Sequence, residues 1–93
     1  MLDELFEIIE GRKKDLPSGS YTAKLMNAGE NAILRKIGEE SLEIIFASKD
    51  EGQQRLIEES ADLLYHLWVL LSYKGISLDQ VKEELENRHK GKE

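Results

Sequence analysis

The sequence predicts an all-α fold, one helical-bundle domain over residues 1–93 that a second copy of the chain completes. Three observations lead there. No Val-, Ile- or Thr-rich stretch alternates at period two, so strand signals are nearly absent. Apolar residues recur at helical spacing in segments separated by glycines. Residues 63–73 are apolar nearly all round, apart from His66 and Ser72, and a helix of that character is buried. A chain of 93 residues has too little material to surround a central helix roughly 33 Å long. A homodimer is the economical solution.

Each element has its own signal. Leu2, Leu5, Phe6 and Ile9 make an apolar stripe that predicts a first helix over about 2–10, ended by Gly11. Residues 12–19, with Pro17 and Gly19, read as a charged loop. Ser20 is placed to cap a short second helix through Ala28, which Gly29 stops. A third helix is predicted from Asn31 to Ser48, a tight connection at Asp50, Glu51 and Gly52, and a fourth helix from Gln53 to Lys74 before Gly75. Ser77 and Gln80 have capping-box spacing ahead of a last helix with a thin seam of Leu78, Val81 and Leu85. From Arg88 onward the tail is expected to fray.

Composition narrows the function. Lys and Arg number 13 against 19 Asp and Glu, a net charge of -6. That disfavours general nucleic-acid binding, which needs a cationic surface, and suits a site that holds a divalent cation. Cys is absent, so neither a disulfide nor a thiolate zinc site holds the fold. There is no 18-residue apolar run, so no membrane span is expected. The N-terminal stretch has no apolar export segment, and a cytoplasmic protein is the expectation.

The chemistry lies on the two central helices. With Ile37 at zero and about 100° per residue, Ile33, Leu34, Ser41, Ile44 and Ile45 form the expected core face. An arc of Glu39, Glu43, Lys36, Ala47 and Glu40 lies between that face and Leu42 and Phe46. On the fourth helix Arg55, Glu58, Glu59 and His66 gather around Asp62. Glu40 and Glu43 are three residues apart, as are Glu59 and Asp62, so each pair points one way from its helix. A short connection makes the helices antiparallel, and four carboxylates are expected to converge in a packed interior. Crowded carboxylates stay ionised only when paired or bound to a cation. Hard oxygen ligands without Cys suit Mg²⁺, with Mn²⁺ as a substitute. The central helices contain no Glu-x-x-His, which disfavours a di-iron bundle. His66, one turn beyond Asp62, is suited to orient a carboxylate or bond a phosphate. A carboxylate-held Mg²⁺ serves phosphate chemistry. Lys24, Arg35 and Lys36, with Arg12, Lys13 and Lys14 of the loop, are the candidate phosphate contacts. No Walker-type glycine loop is present.

These residues resemble a known family. Glu40-x-x-Glu43 followed by Glu59-x-x-Asp62 matches the loose signature of the all-α nucleoside triphosphate pyrophosphatases, the MazG-like group. The blocks Ser20-Tyr21-Thr22-Ala23-Lys24-Leu25, Lys36-Ile37-Gly38-Glu39-Glu40 and Glu59 through Leu67 are more specific. They are similar to the phosphoribosyl-ATP pyrophosphatase family of histidine biosynthesis, over about residues 2–88. The resemblance implies hydrolysis of the α-β phosphoanhydride of phosphoribosyl-ATP to phosphoribosyl-AMP and pyrophosphate, Mg²⁺ dependence and a dimer. It implies Glu40, Glu43, Glu59 and Asp62 as metal ligands. Glu39 beside them is suited to a second ion or to polarising the attacking water. The sister cyclohydrolase activity needs Cys and His ligands, and Cys is absent. Two other functions are weighed: a relaxed pyrophosphatase of the same fold that clears non-canonical triphosphates, and a non-catalytic helical dimerisation module. The Ser20–Lys24 block and the Tyr65-His66 pair favour the histidine-pathway enzyme over the relaxed one.

Overall fold

A computed structural model describes residues 1–92, with side chains through residue 90. Its first helix, α1, spans Leu2–Asp15 and passes straight through Gly11, where the sequence predicted an end. A glycine inside a helix costs only about 1 kcal/mol relative to Ala. Arg12, Lys13 and Lys14 fill the last turn, where cations meet the negative end of the helix dipole. Lys13 Nζ also donates to the Ser72 carbonyl at 2.7 Å. The helix stops at Leu16, in the left-handed region at φ 47°, because the Pro17 ring bars the α conformation from the residue before it.

α2 spans Tyr21–Ala28, and Ser20 Oγ caps it by accepting the Ala23 N–H at 3.2 Å. Gly29, at φ 99°, turns the chain into α3, Glu30–Phe46. A π-helical turn over Ala47–Glu51 then carries the chain to Gly52 at φ 90°, so the tight connection begins three residues before its predicted start. α4 spans Gln53–Tyr73. α5 spans Leu78–Lys92 and opens with a capping box: Gln80 Oε1 accepts the Ser77 N–H at 2.8 Å and Ser77 Oγ accepts the Gln80 N–H at 3.2 Å. The tail expected to fray from Arg88 is helical through Lys92, with Arg88 Nε bonded to Glu84 Oε2 at 2.9 Å. Glu93, the last residue of the predicted domain and tail, lies outside the described residues. Among the described residues there is no strand, and no helix is long and apolar enough to cross a membrane.

α3 and α4 are the most extensively packed pair. Glu30 meets Lys74 and Glu40 meets His66, so the two helices run antiparallel. α1 and α2 cover one flank of this pair. The core is Phe6 and Ile9 of α1, Leu25 and Met26 of α2, Ile33 of α3, Trp68 and Val69 of α4, and Leu78 at the start of α5. α5 makes few other contacts with the bundle, apart from the Lys82–Asp3 ion pair.

The expected core face of α3 divides in two. Ile33 is fully buried and Ile37 packs on the core, but Leu34 and Ile45 remain 42% and 55% exposed. The buried side of α3 is rotated toward Glu40 and Ala47, because α4 covers only one flank of the helix. Leu42, Phe46, Ile57 and Leu64 are also exposed. Together these side chains leave an apolar surface along the central pair.

Candidate functional site

The acids occupy the seam between α3 and α4 unequally. Glu40 and Glu59 are buried, Glu43 is half-buried, and Asp62 and Glu39 are exposed. Glu59 therefore enters the packed interior as expected, whereas Asp62 faces solvent within a single chain. The expected convergence of four carboxylates is not found in the side-chain positions. Among the described residues no group of three or more His, Cys, Asp or Glu side chains is gathered to hold a metal ion. Each buried acid has turned to a partner instead. Glu40 Oε1 lies 2.6 Å from His66 Nδ1. Glu59 Oε1 lies 2.5 Å from Arg55 Nη2, and the other guanidinium arm meets Glu58 at 2.6 Å. Like charges repel when brought together without a cation, which accounts for the spread.

The electrostatics show how close the acids still are. Burial pushes the Glu40 carboxyl above its ordinary value; His66 opposes this, and the charge of Asp62 adds to it. Burial likewise raises the Tyr21 hydroxyl, with Glu40, Asp62 and Glu39 among the charges contributing. Glu58, by contrast, is exposed and lowered by its hydrogen bonds to Arg55 and Gln54. The donor set is thus all oxygen, with two buried carboxylates on facing helices and a third charge near enough to act on one of them. That chemistry fits a hard divalent cation.

Beside the seam lies a cleft of about 310 Å³, lined by Tyr21, Lys24, Leu25, Ala28, Ala32, Arg35, Lys36 and Glu39. Lys24, Arg35 and Lys36, three of the six basic residues expected as phosphate contacts, thus share one cleft. Lys36 sits 3.8 Å from Glu39. A larger hollow of about 720 Å³ over residues 16–20 shares Tyr21 and Lys24 with it. Of the loop cations, Arg12, Lys13 and Lys14 line neither space; they belong to α1.

His66 is not among the cleft residues. It is buried, with Nδ1 against Glu40 and the Asp62 carbonyl and Nε2 2.8 Å from the Tyr21 hydroxyl. Of its two expected partners, a carboxylate and a phosphate, the structure shows the carboxylate. Tyr21 and Tyr65 stack at 6.2 Å, and both meet the His66 ring edge-on. Thr22 Oγ1 and the Tyr65 hydroxyl share a hydrogen bond.

Sequence reasoning did not assign Tyr21 or Arg55 to the site. The Arg55–Glu59 spacing of four residues is a readable signal. Tyr21 had none, because its partner is 45 residues away.

The family model described as phosphoribosyl-ATP pyrophosphohydrolase matches residues 2–89. The chain belongs to the phosphoribosyl-ATP pyrophosphohydrolase family. Similar relatives are the phosphoribosyl-ATP pyrophosphatases of Metallosphaera sedula, Haloarcula marismortui and Saccharolobus solfataricus. The first is 50% identical, over 97% of both chains. The second is 51% identical, over 95% of this chain and 92% of the relative. The third is 47% identical, over 97% and 96%. Family membership thus covers every helix that builds the seam and the cleft.

Proposed function

We propose that this chain hydrolyses the α-β phosphoanhydride of phosphoribosyl-ATP, giving phosphoribosyl-AMP and pyrophosphate, the second step of histidine biosynthesis. The observation that carries the reading is the placement of two buried carboxylates, Glu40 and Glu59, beside a cleft lined by Lys24, Arg35 and Lys36. Membership in the family, across nearly all of the chain, supports the choice of substrate.

Glu40, Glu43, Glu59 and Asp62 are the residues that would hold Mg²⁺, with Mn²⁺ as a substitute. When bound, the cation supplies charge neutralisation on phosphate oxygens and acidified water. Lys24, Arg35 and Lys36 counter the phosphate charge from the cleft. Glu39, on the cleft wall, would polarise the attacking water or ligate a second ion. Arg55 compensates Glu59 and must yield that carboxylate for it to serve as a ligand. The exposed apolar side chains of α3 and α4 support a homodimer, whose second copy would cover them and draw Asp62 into a more enclosed site. The enzyme would work in the cytoplasm, with neither nucleic acid nor membrane as partner: the net charge of -6 disfavours nucleic acid, and among the described residues no helix is long and apolar enough to cross a membrane.

Steady-state kinetics on single variants test the assignment. Glu40→Gln, Glu43→Gln, Glu59→Gln and Asp62→Asn keep side-chain size and remove the charge. Each is expected to lower turnover about 10²–10³-fold with helix content retained. Glu58→Gln, on an exposed acid already occupied by Arg55 and Gln54, is expected to lose less than about tenfold. Equal damage from Glu58→Gln and Asp62→Asn would mean the wrong helical face has been chosen.

A further inference from the structure

We propose that Tyr21 is a positioning residue for this site. Through His66 it holds Glu40, so that the basic cleft and the acidic seam are joined by one hydrogen-bond chain. The inference rests on the acid-cluster reading above and adds to it a residue outside the acidic motifs.

The direction of the chain follows from its acceptors. A backbone carbonyl can only accept, and the Asp62 carbonyl lies 2.9 Å from His66 Nδ1. Nδ1 therefore carries a proton and donates it, shared, to that carbonyl and to Glu40 Oε1 at 2.6 Å. In the neutral ring Nε2 is then an acceptor, and the Tyr21 hydroxyl donates to it at 2.8 Å. Both ring nitrogens of a buried imidazole are thus satisfied. The two tyrosine rings hold its plane from the sides, with centroids 5.7 and 5.2 Å away.

The ends of this chain lie in different places. Glu40 is only 9% exposed, whereas Tyr21 is 46% exposed and lines the cleft with Lys24, Arg35 and Lys36. A group filling the cleft therefore meets the residue that fixes His66. Without the hydroxyl, Nε2 becomes a buried acceptor with no donor. The Asp62 carbonyl and Glu40 still keep the proton on Nδ1, but the ring loses the bond that fixes its orientation from the other side, and Glu40 is held less well. Partners of a ligating side chain commonly govern metal affinity in this way.

The test compares the parent with Tyr21→Phe, which keeps the stacked ring and removes only the hydroxyl. Three readouts are taken: nitrogen-15 NMR of the His66 ring without divalent cation, Mn²⁺ binding by electron paramagnetic resonance, and kcat and KM for phosphoribosyl-ATP. The parent is expected to show a protonated Nδ1 and a bare, hydrogen-bonded Nε2. In Tyr21→Phe the proton should stay on Nδ1 and the Nε2 signal should move to that of a non-bonded ring nitrogen. Mn²⁺ affinity and kcat should each fall about tenfold, with KM within about twofold. His66→Asn breaks the same link from its other end, so adding Tyr21→Phe to it should cost little more. A parent with the proton on Nε2, or a Tyr21→Phe variant with parental Mn²⁺ affinity and kcat, overturns the inference alone. A parent that neither binds Mn²⁺ nor releases pyrophosphate overturns the acid-cluster reading and takes this inference with it.

Discussion

Leu42→Asp should dissociate the protein while leaving each chain largely folded. Leu42 lies on α3 with 56% of its surface exposed, in a run with Leu34, Ile45, Phe46, Ile57 and Leu64, which keep between 40% and 55%. Fully burying a large aliphatic side chain is worth about 1.5–3 kcal/mol, so covering the remaining half of Leu42 contributes roughly 1 kcal/mol. The aspartate forfeits that and sets a charge in an apolar contact, which costs about 1–3 kcal/mol more even with partial relaxation. A two-fold interface contains the substitution twice. The combined loss is at least about 4 kcal/mol, a thousandfold rise in the dimer Kd. Within one chain the position is open to solvent, so the intrinsic cost of the change is within about 0.5 kcal/mol. Sedimentation equilibrium at micromolar concentration, with circular dichroism on the same samples, reads both quantities. A parent that sediments as a folded monomer, or a Leu42→Asp variant with an unchanged Kd, would refute the reasoning.

Three further outcomes are expected. Millimolar Mg²⁺ should raise the thermal midpoint of the parent, because a ligand that binds only the folded state stabilises it; the rise should vanish in Glu43→Gln plus Asp62→Asn, and an unchanged parental melt would count against a cation site. In Mg²⁺-free buffer, burial raises the folded value of Glu40 above the ordinary 4.5, so the folded state binds this proton more tightly than the unfolded chain. Its contribution is then fully present below the unfolded value and lost as pH rises through the folded one; Glu40→Gln should flatten that part of the stability profile in urea titrations, and a parallel profile would contradict it. Gly11→Ala should stabilise, since no atom lies within 4 Å of the added Cβ. The gain should be about 0.5–1 kcal/mol, or roughly 4 °C in midpoint, and a lowered midpoint would show that α1 is not helical there.

How much the sequence disclosed depended on how local the cause was. The Ser20 cap, the Ser77–Gln80 box and the turn at Gly52 are set by neighbouring residues and were legible. The end of α1 was misplaced because Gly11 is a weak breaker, and the Lys13 bond to Ser72 lies 59 residues away. The helical wheel found the acidic face of α3 but not which side of it is buried, since that depends on where α4 lies. Likewise the acids were found, but not their partners. The His66 contact with Glu40 joins two helices, and a rotamer choice between Arg55 and a convergent cluster is decided by the charges around it. Tyr21 could be read only as part of a block, because its bond to His66 is a product of the tertiary fold.

Pyrophosphate release from phosphoribosyl-ATP by the purified protein, compared with dUTP, dCTP and ATP and repeated without Mg²⁺, tests the central claim most directly. Release is expected from phosphoribosyl-ATP with Mg²⁺, far slower release from the other nucleotides, none above background once Mg²⁺ is removed, and release lowered about 10²–10³-fold when Asp62 is replaced by Asn. Comparable rates on all four substrates would instead indicate the relaxed enzyme. No release from any of them, or near-parental turnover by Asp62→Asn, would contradict the cation-dependent pyrophosphatase itself.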